Sequence, residues 1–204
     1  MILGLDFDNT IVSYDDLIFE TALSWGWINP DMVRHKKAIR DYIRETQDDI
    51  AWQKLQAYIY GPGMKNARLM DGVDRVIYEC HRREIPVYVI SHKTSFASMD
   101  HDKKYDLQQT ARDWMTNQGF FDKTQFAFDP GHVFFETTRL NKIERIVSLQ
   151  CNYFVDDLEE TFMEPTFPQN VTKLHYTQDE TTYVPEAVLV HSWEEIYRAL
   201  FVGC

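Results

Sequence analysis

Two carboxylates, Asp6 and Asp8, close the short apolar run Ile2-Leu3-Gly4-Leu5, and few folds accommodate that arrangement. The run has strand character. Side chains alternate across a strand, so this reading puts Asp6 and Asp8 on one side with Phe7 opposite. Like charges this close repel unless a cation or a shared proton lies between them. A hard divalent ion such as magnesium is the usual chemical answer. The competing reading is an ordinary acidic turn, for which Asn9-Thr10 is suited. Groups further along the chain decide between the two.

Four more short apolar runs read as strands: Ile85–Ile90, Asn152–Val155, Val171–His175 and Val188–Val190. Several are continuous, as in strands buried on both faces. Helical patterns lie between them at Gly72–Arg83, Asp106–Gln118, Asn141–Gln150 and Trp193–Phe201, the last opened by Ser192 and Glu195 at capping-box spacing. The alternation predicts an α/β fold with a doubly wound parallel sheet. Residues 14–68 break it with three helical patterns, Asp16–Trp25, Pro30–Glu45 and Asp48–Tyr60, ending at Gly61-Pro62-Gly63. They read as a helical cap inserted in a core made of 1–13 and 69–204.

The remaining chemistry recurs at strand ends. Ser91 follows Ile85–Ile90, Lys142 opens a helix where its charge opposes the macrodipole, and Asp156-Asp157 follow Tyr153-Phe154-Val155. In order, the set is strand-Asp-x-Asp-x-Thr, strand-Ser, Lys-helix, strand-Asp-Asp. This chain resembles the haloacid dehalogenase-like (HAD) superfamily of phosphohydrolases from residue 2 to about residue 162, with a helical cap between the first two motifs.

The resemblance implies a Rossmann-like core and a set of roles. Asp6 becomes the nucleophile that carries an aspartyl phosphate, and Asp8 the general acid and base. Ser91, Lys142 and Thr10 bind phosphate. Asp6, Asp8, Asp156 and Asp157 hold magnesium, with Asp157 the better match to the direct ligand. Family dehalogenases lack the second acid, so Asp8 weighs against dehalogenation. Asn9 stands where glycine is common, and Ser91-His92-Lys93-Thr94 departs from the frequent Ser/Thr-Asn form, putting His92 and Lys93 at the substrate rim. Glu136 and Arg139 read as a surface loop.

These features predict a magnesium-dependent phosphatase acting on a small phosphomonoester. Tyr105-Asp106-Leu107 and Phe154-Val155-Asp156-Asp157-Leu158 are similar to small HAD phosphatases that accompany sugar and surface-polysaccharide pathways. A phosphomutase would carry the same motifs. A phosphonatase would need a cap lysine, for which Lys36, Lys37 and Lys54 are present, and a non-catalytic binding protein of this fold would be expected to lack an essential acid.

The bulk numbers bound the partners. A net charge of −11 over 204 residues disfavours nucleic acid. No apolar run approaches a membrane span. The N-terminus has no secretory pattern, and Cys80, Cys151 and Cys204 form no CxxC pair, so a reduced cytoplasmic setting is expected. Nothing in the sequence sets an oligomeric state.

Overall fold

A computed structural model describes residues 1–179 and 182–202; Cys204 lies outside them. The chain opens with β1 (Leu3–Leu5), β2 (Val12–Ser13), α1 (Asp15–Ser24), α2 (Lys36–Thr46), α3 (Asp49–Tyr60) and β3 (Arg68–Leu69). It continues with α4 (Val73–Arg82), β4 (Val87–His92), α5 (Leu107–Asn117), β5 (Val133–Glu136) and α6 (Arg139–Ser148). It closes with β6 (Tyr153–Asp156), α7 (Glu159–Phe162), β7 (Thr172–Tyr176), β8 (Ala187–Val190) and α8 (Trp193–Phe201).

Six strands form one parallel sheet in the order β5-β4-β1-β6-β7-β8. After β1 the chain builds outward through β4 and β5, then crosses back to β6, β7 and β8. The order therefore reverses beside β1, where doubly wound sheets place ligands at their carboxyl ends. Ile143 and Ile146 of α6 and Phe162 of α7 pack with Ile90, Cys151 and Phe154 into a buried cluster on one face. On that face Gly4 leaves a slot: Phe154 Cδ2 lies 2.5 Å from where a β-carbon would stand. Residue 4 must therefore be small for β1 and β6 to pair as they do.

Two compact units emerge. One comprises Met1–Val12, Leu69–Lys93 and Gln118–Cys204; the other comprises Ser13–Arg68 and Thr94–Asn117. The helical unit is thus larger than the 14–68 read from sequence, because α5 belongs to it rather than to the sheet. Trp114 explains this: it is buried and donates Nε1–H to Ala67 O at 3.0 Å. Within this unit α2 starts at Lys36, six residues later than expected from Pro30. Its first turn is capped from α1, with Lys36 N donating to Asp15 Oδ1 at 2.9 Å, a partner no local pattern announces. At the surface around this helix, Arg34 pairs with Glu20 at 2.6 Å and Arg44 with Asp49 at 2.6 Å.

The last helix matches its expected bounds. Glu195 N donates to Ser192 Oγ at 3.3 Å, but the reciprocal arm differs from a standard capping box: Glu195 Oε2 accepts from His191 N at 2.8 Å. Cys80 and Cys151 are free and buried, and burial pushes both thiols up to about 12, so they are poor nucleophiles. Among the described residues no helix is long and apolar enough to cross a membrane.

Candidate active site

β1 ends at Leu5, and that early stop separates the two acids of the first motif. Asp6 N still bonds across to Val155 O at 2.8 Å. The chain then leaves strand geometry: Phe7 O accepts from Ile11 N at 3.0 Å and Val12 N at 3.1 Å. Asn9 adopts φ +58°, a left-handed conformation that glycine takes freely and asparagine tolerates better than most residues. This accounts for Asn9 where glycine is common. Asp6 and Asp8 find different partners, Lys142 and Lys93.

Asp6 faces the side of the sheet covered by α6. Thr138 caps that helix, its Oγ1 accepting from Asn141 N at 3.1 Å, so the helix starts at Arg139 and Lys142 stands one turn in. Lys142 is 1% exposed, and its ammonium donates to Asp6 Oδ1 and Asp156 Oδ2, both at 2.6 Å. Burial disfavours that ammonium, but Asp156 and Asp6 outweigh the penalty and hold its pKa above the ordinary lysine value. Burial likewise raises the Asp6 carboxyl, to about 7, with Lys142 opposing the rise and Asp156 and Asp8 adding to it.

Asp156 is wholly buried and uses its other oxygen to accept from Leu158 N at 3.0 Å. Asp157 is half-buried beside it. One carboxylate oxygen each from Asp6, Asp156 and Asp157 lies within 4.8 Å of the others, a donor set suited to a hard divalent cation. The Asp8 carboxylate, expected among the ligands, is not in this group. Both its oxygens accept from Lys93 Nζ, at 2.9 and 2.7 Å. Lys93 is correspondingly not a rim residue: it is 5% exposed, whereas His92 at the end of β4 is exposed. Counting Asp6, Asp8, Asp156 and Asp157 against Lys93 and Lys142, two negative charges remain, the balance a divalent ion supplies.

Ser91 is buried near the carboxyl end of β4, paired in register with Phe135. Thr10 is fully buried, and its Oγ1 has no hydrogen-bond partner, while its carbonyl accepts from Trp193 Nε1 at 3.0 Å. An orphaned buried hydroxyl costs about 1–3 kcal/mol, a cost that an incoming oxygen anion would offset. Glu136 and Arg139 are not a loop but end β5 and begin α6. They are tied to Arg145 at 2.9 Å and to Glu164 at 3.0 Å respectively.

One residue was missed altogether. His175, at the end of β7 and in register with Asp156, is 1% exposed. Its Nε2 lies 3.2 Å from Asp157 O and donates there, leaving Nδ1 buried without a partner. The signal was present in Val171–His175, a strand ending on a polar residue like the others.

Solved structures share this fold. The chain aligns over 98% of its length with a HAD-hydrolase from Bacillus subtilis bound to magnesium, covering 98% of that chain at TM-score 0.54 and 15% identity. The HAD-like fold is therefore shown. A predicted phosphatase from Clostridium acetobutylicum aligns over 98% of both chains, at TM-score 0.57 and 14% identity. Protein Tyrosine Kinase A of Mycobacterium tuberculosis aligns over 98% of this chain and 97% of its own, at TM-score 0.59 and 13% identity. No family model and no curated protein matches the sequence.

Proposed function

We propose that the chain is a magnesium-dependent, cytoplasmic phosphatase that hydrolyses a small-metabolite phosphomonoester through an aspartyl phosphate on Asp6. The observation that carries this reading is Lys142, whose single ammonium joins Asp6 to Asp156 beside a three-carboxylate donor set. Lys142 holds Asp6 Oδ1, which leaves Oδ2 to attack phosphorus. The bond from phosphorus to the leaving oxygen then breaks, and Asp8 gives that oxygen its proton. Asp8 next takes a proton from the water that releases phosphate from Asp6. Thr10 Oγ1 and Ser91 offer hydroxyls to the phosphoryl oxygens, and Lys142 offers positive charge. Asp6, Asp156 and Asp157 would hold the metal, which supplies Lewis-acid polarisation and cancels charge between carboxylates and phosphate.

Substrate selection falls to the helical unit in this reading. Chain connectivity supports it: the unit's two segments begin at Ser13, shortly after Thr10, and at Thr94, directly after Lys93. A small sugar, polyol or related phosphate of a surface-polysaccharide pathway is the substrate class we assign. The test is a phosphate-release screen with magnesium across sugar, polyol, amino-alcohol and nucleotide monophosphates, run beside Asp6→Asn. Turnover of small esters that disappears in the variant supports the reading. Isomerisation of a monophosphate that needs a bisphosphate primer and releases little free phosphate would make the protein a mutase, and release that survives Asp6→Asn would overturn the nucleophile.

A further inference from the structure

Lys93 has no part in the mechanism above, yet it is among the most deeply placed charges in the chain. Its side chain is 4% exposed and touches both oxygens of a carboxylate that is itself 21% exposed. From this pairing we infer that Lys93 is a positioning residue, fixing the Asp8 carboxylate for proton exchange with the leaving oxygen. The inference rests on the phosphatase reading.

The backbone brings Lys93 to Asp8 by a short route. β4 runs through Ser91 to His92 opposite Phe135 and Glu136 of β5, and Lys93 N extends the ladder by donating to Glu136 O at 2.8 Å. Alternation then returns residue 93 to the side of Ser91, with His92 opposite. The Lys93 ammonium lies 5.6 Å from the centre of the Phe7 ring. Glu136, which anchors the Lys93 backbone, is itself tied by Arg145.

Asp8 needs such a partner. It follows a residue whose carbonyl already turns the chain, and it precedes Asn9 at φ +58°, so it belongs to a turn rather than a strand. A strand or helix limits where a side chain can point; here the limit comes from Lys93 instead. A donor that engages both oxygens fixes both torsions of the aspartate, which one bond to water would not do. Simple charge neutralisation is the rival explanation, and the two differ in what they leave intact. Neutralisation protects stability and every step alike. Positioning protects the step in which Asp8 moves a proton, and spares attack by Asp6.

The experiment uses the full chain with magnesium and compares Lys93→Met and Lys93→Arg with the parent. An alkyl monophosphate turned over in the screen is one substrate and p-nitrophenyl phosphate the other. Beryllium fluoride affinity is measured by calorimetry, because that ligand reports the Asp6 site without a leaving group. Expected for Lys93→Met is a fall in kcat of about 100-fold on the alkyl ester, in line with a misplaced group of about 1 Å. KM should stay within about twofold, as for an interaction made only in the transition state. Nitrophenolate departs without a proton, so its release in the first turnover, before the water step that also uses Asp8, should slow far less than release of the alkoxide, and beryllium fluoride affinity should be unchanged. Lys93→Arg, which keeps a charged donor, should lie between, and it serves if the Met variant does not fold. Equal slowing of first-turnover leaving-group release on both esters, or parent-like kcat on both, overturns the role of Lys93. If Asp6→Asn abolishes turnover in the same series, that failure belongs to Lys93 alone; if it does not, the phosphatase reading has failed first.

Discussion

Lys142 and Asp6 are 136 residues apart in sequence and 2.6 Å apart in space, buried together beneath the end of β1. The same ammonium serves Asp156, so its removal strands two carboxylates at once. Lys142→Met should lower the unfolding free energy by about 3–5 kcal/mol, the usual cost of breaking a buried ion pair from one side. Urea denaturation of the metal-free protein measures it, and phosphate release should be lost in parallel. A variant as stable as the parent would mean the pair is not buried as described.

The Asp6 carboxyl sets a pH trend in metal-free protein. Burial raises it from 3.8 to about 7, so between those values the folded chain keeps a proton that the unfolded chain releases. Stability must then fall as pH rises across the window, the reverse of an ordinary salt-bridged aspartate. Asp6→Asn should flatten that slope in urea titrations at a series of pH values with chelator present. A rising slope in the parent would show that Lys142 outweighs burial.

Divalent cation should stabilise the fold through Asp6, Asp156 and Asp157. At about 100 times its dissociation constant, a ligand adds about 2.7 kcal/mol. In a domain of this size that corresponds to a melting-temperature rise on the order of 5–10 °C. Magnesium or manganese should produce it in the parent, and Asp157→Asn should remove most of it. A shift of equal size in the variant would move the metal elsewhere.

The helical unit can be probed separately. Asp48 caps α3, its Oδ1 accepting from Ala51 N at 2.6 Å. Asp48→Ala should cost about 1 kcal/mol, read as faster amide exchange in Asp49–Tyr60 with phosphate release retained. Unchanged exchange would mean that packing of Trp52, Leu55 and Ile59 alone secures the helix.

Legibility in the sequence followed the range of the interactions. Strands ending on polar residues announced Asp6, Ser91 and Asp156-Asp157, because hydrophobic continuity and its interruption are local signals. β5 went unread: Val133–Glu136 is only four residues long and lies at the sheet edge. Without β5 there was no register to carry Lys93 inward, so a buried ammonium passed for a rim residue. The same gap hid the start of α6 and put Lys142 at a helix end rather than one turn in. Asp15 as the cap of α2 and Trp114 as the tie of α5 are long-range contacts, which no window of sequence contains.

Gly4 carries a consequence for how such a site can evolve. Because the Phe154 ring occupies the place of a missing side chain, the interval between the strand that delivers Asp6 and the strand that delivers Asp156 is gauged by one hydrocarbon contact. A larger residue at position 4, or a smaller one at 154, would reset that gauge while every acid stayed in place. Reactivity in this protein is therefore adjustable from within the oil of its interior, by substitutions that no comparison of catalytic motifs would flag.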